Sequence, residues 1–144
     1  MHLPKAIGFE IKVLSNLIKR NLDEASSEDG QDALTGMQGW VIGYVLANAN
    51  REVFQKDIEK DFNIRRATVT GVLQLMERNG LIIRESVAHD ARLKKITLTP
   101  KALELHERNV QRFLDFEAKL TRGLSKEEIE AFYAIAEKLK KNLE

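Results

Sequence analysis

A chain of 144 residues is about one domain, long enough to bury a core, and 43% apolar with 31% charged residues is the balance of a globular protein, not a disordered one. The complete lack of cysteine excludes disulfides, thiolate metal sites and thiol redox switching. A formal charge of only +1 argues against bulk attraction to a polyanion, and neither a membrane-length apolar run nor a signal-peptide core is evident, so a cytoplasmic protein is expected.

From Ala6 to Ala25, Ile7, Ile11, Leu14, Leu17, Ile18 and Leu22 recur mostly at three- and four-residue intervals, which predicts a first helix with one apolar stripe. SSEDGQDALT then reads as an exposed connector rich in turn formers. Thr35 and Gln38 have capping-box spacing and open a second helix to about Asn48. Gly36, Gly39 and Gly43 fall inside it, each costing about 1 kcal/mol against Ala, and either close backbone packing or a looser, kinked helix accounts for them.

After a turn over Asn48 to Glu52, a short helix is expected from Val53 to Phe62, burying Val53, Ile58 and Phe62. Asn63 and Ile64 break the chain, and a longer helix with Val69, Val72, Leu73 and Met76 on one face ends at Asn79-Gly80, where glycine suits a left-handed cap. Two helices joined by a tight turn form a helix-turn-helix. The period then becomes extended: Leu81, Ile82, Ile83 and Val87 pair with the alternating Lys95 to Thr99 as antiparallel strands, separated by a polar loop, AHDARLK, that acts as a wing. Pro100 opens a long helix to about Arg122, and Ser125 with Glu128 caps a last helix whose first-turn carboxylates suit the helix dipole.

Charge is concentrated in one part of this layout. Residues 65 to 99 hold seven Lys or Arg and three Asp or Glu, a net +4, while the other 109 residues sum to −3. A basic helix followed by a basic hairpin is a face suited to DNA. Removing the buried stripe of the recognition helix leaves Arg66, Thr70 and Gln74 in a row. Arg and Gln have the donor geometry for guanine and adenine edges, and Thr can bond a base or a phosphate. Gly71 would allow close approach to the groove. In the wing, Asp90 can hold the Arg92 guanidinium by a bidentate pair, and a tip arginine suits a narrow minor groove. Arg84, Lys94 and Lys95 serve either phosphates or the wing's own charge balance, and a solvated edge blunted against aggregation is an equal reading of the two lysines. Arg65 and Thr68 complete the expected DNA-binding set. An ordinary solvated helix face is the alternative for any isolated Arg-Thr-Gln row; the flanking helix-turn-helix and wing decide against it.

The runs MERNGLIIR and DARLKKITLTPKA resemble the winged helix of the MarR (multiple antibiotic resistance regulator) family, through Gly80-Leu81, Arg84, Asp90-Ala91-Arg92 and Leu98-Thr99. The likeness extends to helix order and length over the whole chain, with motif matching from about Thr68 to Ala102. It implies a homodimeric transcriptional regulator, usually a repressor, that reads a pseudo-palindromic operator and often releases it on binding a small aromatic or anionic ligand. Two departures stand out: Gly71 replaces a basic residue that many relatives carry, and Arg65 occupies a position where Ser or another N-cap residue is common.

The expected fold is therefore mainly α (α+β winged helix-turn-helix): six helices and a two-stranded β wing, with the terminal helices forming a dimerisation bundle. Residues 1–34 would form the N-terminal helix and connector, 35–99 the DNA-binding domain and 100–144 the C-terminal dimerisation helices. Packing of the terminal helices within a monomer is the alternative. By the resemblance, Phe9, Trp40, Tyr44, His106 and Phe113 are candidate effector contacts, although core packing is the simpler role for each aromatic. His2, His89 and His106 lack metal-ligand spacing, and neither a metal nor a cofactor is expected. No nucleophile-base motif or phosphate-cradling loop argues for an enzyme. A winged helix used as a protein-protein module, or a small-molecule binding protein without DNA binding, is the competing function.

Overall fold

The computed structural model describes residues 5–27 and 34–144, so the central part of the expected connector, and His2, lie outside the described residues. Six helices and one hairpin follow in the order α1 (Ile7–Ser27), α2 (Gly36–Ala47), α3 (Gln55–Asp61), α4 (Arg66–Arg78), β1 (Ile82–Val87), β2 (Asp90–Leu98), α5 (Pro100–Leu120) and α6 (Lys126–Leu143). The chain divides into two compact units, Met1–Gln111 and Arg112–Glu144.

Local chemistry sets most of these boundaries. Thr35 Oγ1 accepts from the Gln38 N–H while Gln38 Oε1 accepts from the Thr35 N–H, a complete capping box at α2, and Ser125 with Glu128 repeats it at α6. Asn63 takes the left-handed conformation (φ 54°) in the turn between α3 and α4, and Gly80 (φ 73°) ends α4. Thr99 does three things at the entry to α5: its N–H donates to Leu81 O, its hydroxyl donates to Gly80 O at 2.6 Å, and Oγ1 accepts from the Ala102 N–H. The Leu98-Thr99 step thus caps α5 and ties it to the end of α4.

The core of the first unit is built on α4. Val69, Leu73 and Met76 are buried and pack with Val41 and Ile42 of α2, Ile58 of α3, Leu81, Ile82, Ile96, and Ala102 and Leu105 of α5. In the second unit, α6 buries none of its residues, and Phe132, Tyr133 and Ile135 are exposed.

Three expectations need correction. The helix expected from Val53 is shorter: Val53 is a buried extended residue whose carbonyl accepts from the Ile96 N–H at 2.7 Å, and Phe54 bridges Lys95, so this stretch is drawn alongside β2 before α3 begins at Gln55. The long polar loop of the wing is instead a two-residue turn, Ala88-His89, between paired Val87 and Asp90, followed by a strand containing most of AHDARLK. The register shifts between Ser86 and Val87, leaving residues 91–93 as a bulge on β2. Of the glycines in α2, Gly36 lies 3.9 Å from Leu22 by the position a Cβ would take, but Gly39 and Gly43 meet nothing within 4 Å, so close packing explains only the first.

Leu73 is completely buried at the middle of α4. Leu73→Ala should therefore destabilise the protein by about 2–5 kcal/mol, measured by denaturant unfolding; a change below about 1 kcal/mol would remove α4 from the centre of the core.

Candidate nucleic-acid interface

Burial of Val69, Leu73 and Met76 turns the opposite side of α4 outward, and Arg65, Arg66, Thr68, Gly71 and Gln74 are all exposed. Arg65 is the N-cap and makes no side-chain cap bond. A Cβ at Gly71 would meet nothing within 4 Å. Thr70 is half-buried, and its hydroxyl oxygen accepts from Gln55 Nε2 at 2.8 Å, a bridge from the first residue of α3 to the middle of α4.

A fork from Arg84 ties the wing to this helix. Arg84 Nε donates to Glu77 Oε2 at 3.0 Å and Nη2 to Oε1 at 3.2 Å, joining β1 to the last turn of α4. The Arg84 bond holds the Glu77 carboxyl below the usual glutamate range, and the same bond raises the Arg84 guanidinium. At the bulge, Asp90 binds Arg92 three ways: Oδ1 accepts from the Arg92 N–H at 2.9 Å and from Nε at 3.2 Å, and Oδ2 accepts from Nη2 at 3.3 Å. The Arg92 side-chain bond and then its N–H keep Asp90 below the usual carboxylate range. The Arg92 side chain nevertheless remains 90% exposed, so the carboxylate orients the guanidinium without covering it. Lys95 Nζ lies 3.7 Å from its cross-strand neighbour Glu85, whereas Lys94 is exposed.

α3, α4 and the wing enclose an open cleft of about 330 Å³ lined by Lys56, Arg66, Arg84, Arg92 and Lys94 among others, with Glu59 the one carboxylate on its wall. Four of those five cations were expected from the sequence; Lys56 and Gln55 were not. They sit in QKDIEKD, where opposite charges nearly cancel and hide any basic signal, and the Gln55–Thr70 bond spans fifteen residues with no periodic trace.

The candidate effector contacts are dispersed by element. Phe9 on α1 is 67% exposed and Trp40 on α2 is exposed, while His106 and Phe113 on α5 are half-buried. Tyr44 is committed to α3: its hydroxyl donates to Asp61 Oδ2 and accepts from Arg51 Nη2 at 2.9 Å, and its ring meets Phe62 edge-on at 5.4 Å. Burial first, then the Asp61 bond, raises the Tyr44 hydroxyl.

A helix-turn-helix whose second helix is braced to an antiparallel wing defines the winged helix-turn-helix class. A family model described as MarR family matches residues 34–93, from the buried Leu34 just before α2 into the wing. The transcription regulator MarR from Oenococcus oeni PSU-1 is 32% identical over 94% of this chain and 99% of its own, with a TM-score of 0.80, and the chain belongs to the MarR family of transcriptional regulators. MepR of S. aureus, solved as a DNA complex, is 29% identical over 96% of this chain and 97% of its own, with a TM-score of 0.85. A MarR-family regulator from Listeria monocytogenes complexed with 26mer DNA shares the fold at 20% identity and a TM-score of 0.81, covering 97% of this chain and 90% of its own.

Because the folded value of Glu77 is lowered, its pairing with Arg84 stabilises the fold above the ordinary glutamate pKa, and that contribution is lost as pH falls through the lowered value. Glu77→Gln should lower Tm slightly at neutral pH and make the acid-side fall of Tm shallower than in the native chain. Parallel acid profiles would show that the fork contributes nothing to stability.

Proposed function

We propose that this chain is a DNA-binding transcription regulator, most simply a repressor, which reads a pseudo-palindromic operator as a homodimer. The observation that carries this reading is the exposed row of α4 beside a basic, cation-lined cleft and a wing arginine held outward. DNA complexes of MepR and of the Listeria regulator support it by likeness. In this reading α4 enters the major groove, with Arg66, Thr70 and Gln74 at base edges and Gly71 permitting close approach. Arg92 reaches the adjacent minor groove, and Arg65, Thr68, Lys94 and Lys95 meet phosphates. Arg84 contributes mainly by bracing the wing, with Asp90 orienting Arg92.

A dimer is favoured because α1 exposes Ile7, Phe9, Ile11, Leu14 and Leu17 and, in the second unit, α6 exposes Phe132, Tyr133, Ile135 and Leu143, large apolar side chains that association would cover. Residues 1–34 and 100–144 are assigned to that association, and 35–99 to DNA. Two copies would place their α4 helices about 34 Å apart, one turn of DNA. A small aromatic or anionic effector is proposed to release the operator, with Phe9, Trp40, Tyr44, His106 and Phe113 as candidate contacts; a ligand at Tyr44 would compete with its bonds to Asp61 and Arg51 and so disturb α3.

Binding to the operator should weaken with salt by a slope of about −0.9 in log K per phosphate contacted, measured by fluorescence anisotropy; a flat slope would favour a protein-protein module. Arg66→Ala or Gln74→Ala should lose about 1–3 kcal/mol at the preferred site and relax base preference, whereas equal loss on every sequence would reassign the residue to phosphate. Arg92→Ala should weaken binding most where the flanks are A·T-rich, and unchanged affinity there would exclude the wing from the interface.

A further inference from the structure

Gln55 stands outside the basic segment, carries no charge, and yet among the described residues makes the one side-chain bond that reaches Thr70 in the row facing outward from α4. Its amide is placed with the amino side toward α4: Nε2 lies 2.8 Å from Thr70 Oγ1 and 3.5 Å from the carbonyl oxygen of Arg66, which can only accept. The Thr70 oxygen then accepts, which leaves its proton for an acceptor elsewhere. Among the described residues that proton has no acceptor, although threonines in helices commonly donate to the carbonyl four residues back, as Thr121 does to Glu117. A donated hydrogen bond also polarises the hydroxyl it meets and makes it a better donor in turn.

The geometry points to Gln55 as a specificity-determining positioning residue: by occupying the acceptor side of the Thr70 hydroxyl, it makes Thr70 a donor toward the base edge. This inference rests on the DNA-binding reading and adds a polarity to it. Of the major-groove groups, purine N7, guanine O6 and thymine O4 accept, while adenine N6 and cytosine N4 donate. A hydroxyl held as a donor therefore disfavours cytosine, the one base without a major-groove acceptor, at the position it meets. Were it released, rotation about its C–O bond would let it serve either kind of edge.

The test is selection of bound sequences from a random DNA pool with the full-length native chain and four variants, each scored against its own best site. For the native chain, one half-site position should disfavour cytosine and lose that preference in Thr70→Val, which locates the Thr70 contact. Gln55→Ala should flatten preference at that same position by about three- to tenfold, the range of one hydrogen bond, and the Gln55→Ala, Thr70→Val double variant should be no flatter than Thr70→Val alone. Gln55→Glu keeps the shape but accepts the Thr70 proton, so preference there should move toward cytosine, even if repulsion from phosphates weakens every sequence.

Uniform weakening by Gln55→Ala with preference unchanged would overturn the inference and leave Gln55 as a helix brace or phosphate contact. Additional flattening in the double variant would overturn it too, because Gln55 would then touch the base itself. Should Gln55→Ala fail to fold, the isosteric Glu variant decides alone: a shift in preference supports the role, and an unshifted profile rejects it. No enrichment by the native chain would overturn the DNA-binding reading and this inference with it, whereas enrichment by the native chain with unshifted variants overturns this inference only.

Discussion

The burial of Val69, Leu73 and Met76 is the constraint on which the rest depends. A helix repeats every 3.6 residues, so fixing three side chains in the core fixes the direction of all the others. Arg66 and Gln74 face outward because Leu73 and Met76 cannot. The same buried row meets Ile82 and Ile96, which sets the base of the hairpin, and Ala102 and Leu105, which sets the start of α5. Recognition surface, wing and long helix are thus referred to one apolar contact set.

Polar bonds refine what the core leaves adjustable. Apolar packing holds the base of the wing but not its tilt, and the Arg84–Glu77 fork supplies that second attachment. Thr99 fastens the far end of the hairpin to the end of α4, with Lys101 Nζ donating to Asn79 O at 2.8 Å beside it. Gln55 joins α3 to α4, and Tyr44, Arg51 and Asp61 join α2 to α3. All these ties lie near the surface, where each is worth little in stability. Their role is angular: each limits one way in which neighbouring elements could turn about the shared core.

What could be read from the chain follows from the range of each interaction. The capping boxes at Thr35 and Ser125, the left-handed Gly80 and the break at Asn63 depend on neighbours within four residues, and all were legible. So was the buried stripe of α4, because its period is its signature. The extent of β2 was not. AHDARLK is polar and looks like a loop, but β1 pairs with its Asp90 and Lys94, and the Val53–Phe54 stretch, about forty residues away in sequence, holds the adjoining Lys95 and Ile96. Gln55 was missed for the same reason. Gly39 and Gly43 misled in the opposite sense, since glycine in a helix suggests a close neighbour and here the space beside both is open.

The register shift in the wing separates two parts of the hairpin that would otherwise move as one. Below it, the pairing of Ile82 with Leu98 through Ser86 with Lys94 is anchored in the core; above it, only Val87 and Asp90 pair before the turn. Residues 91–93 lie opposite no partner, so a residue gained or lost there would not slide the lower ladder or reverse which side chains face inward. The reach of Arg92 is therefore free to vary among descendants of this sequence while α4 stays where it is. Wing length and helix chemistry can diverge independently, each on its own evolutionary clock.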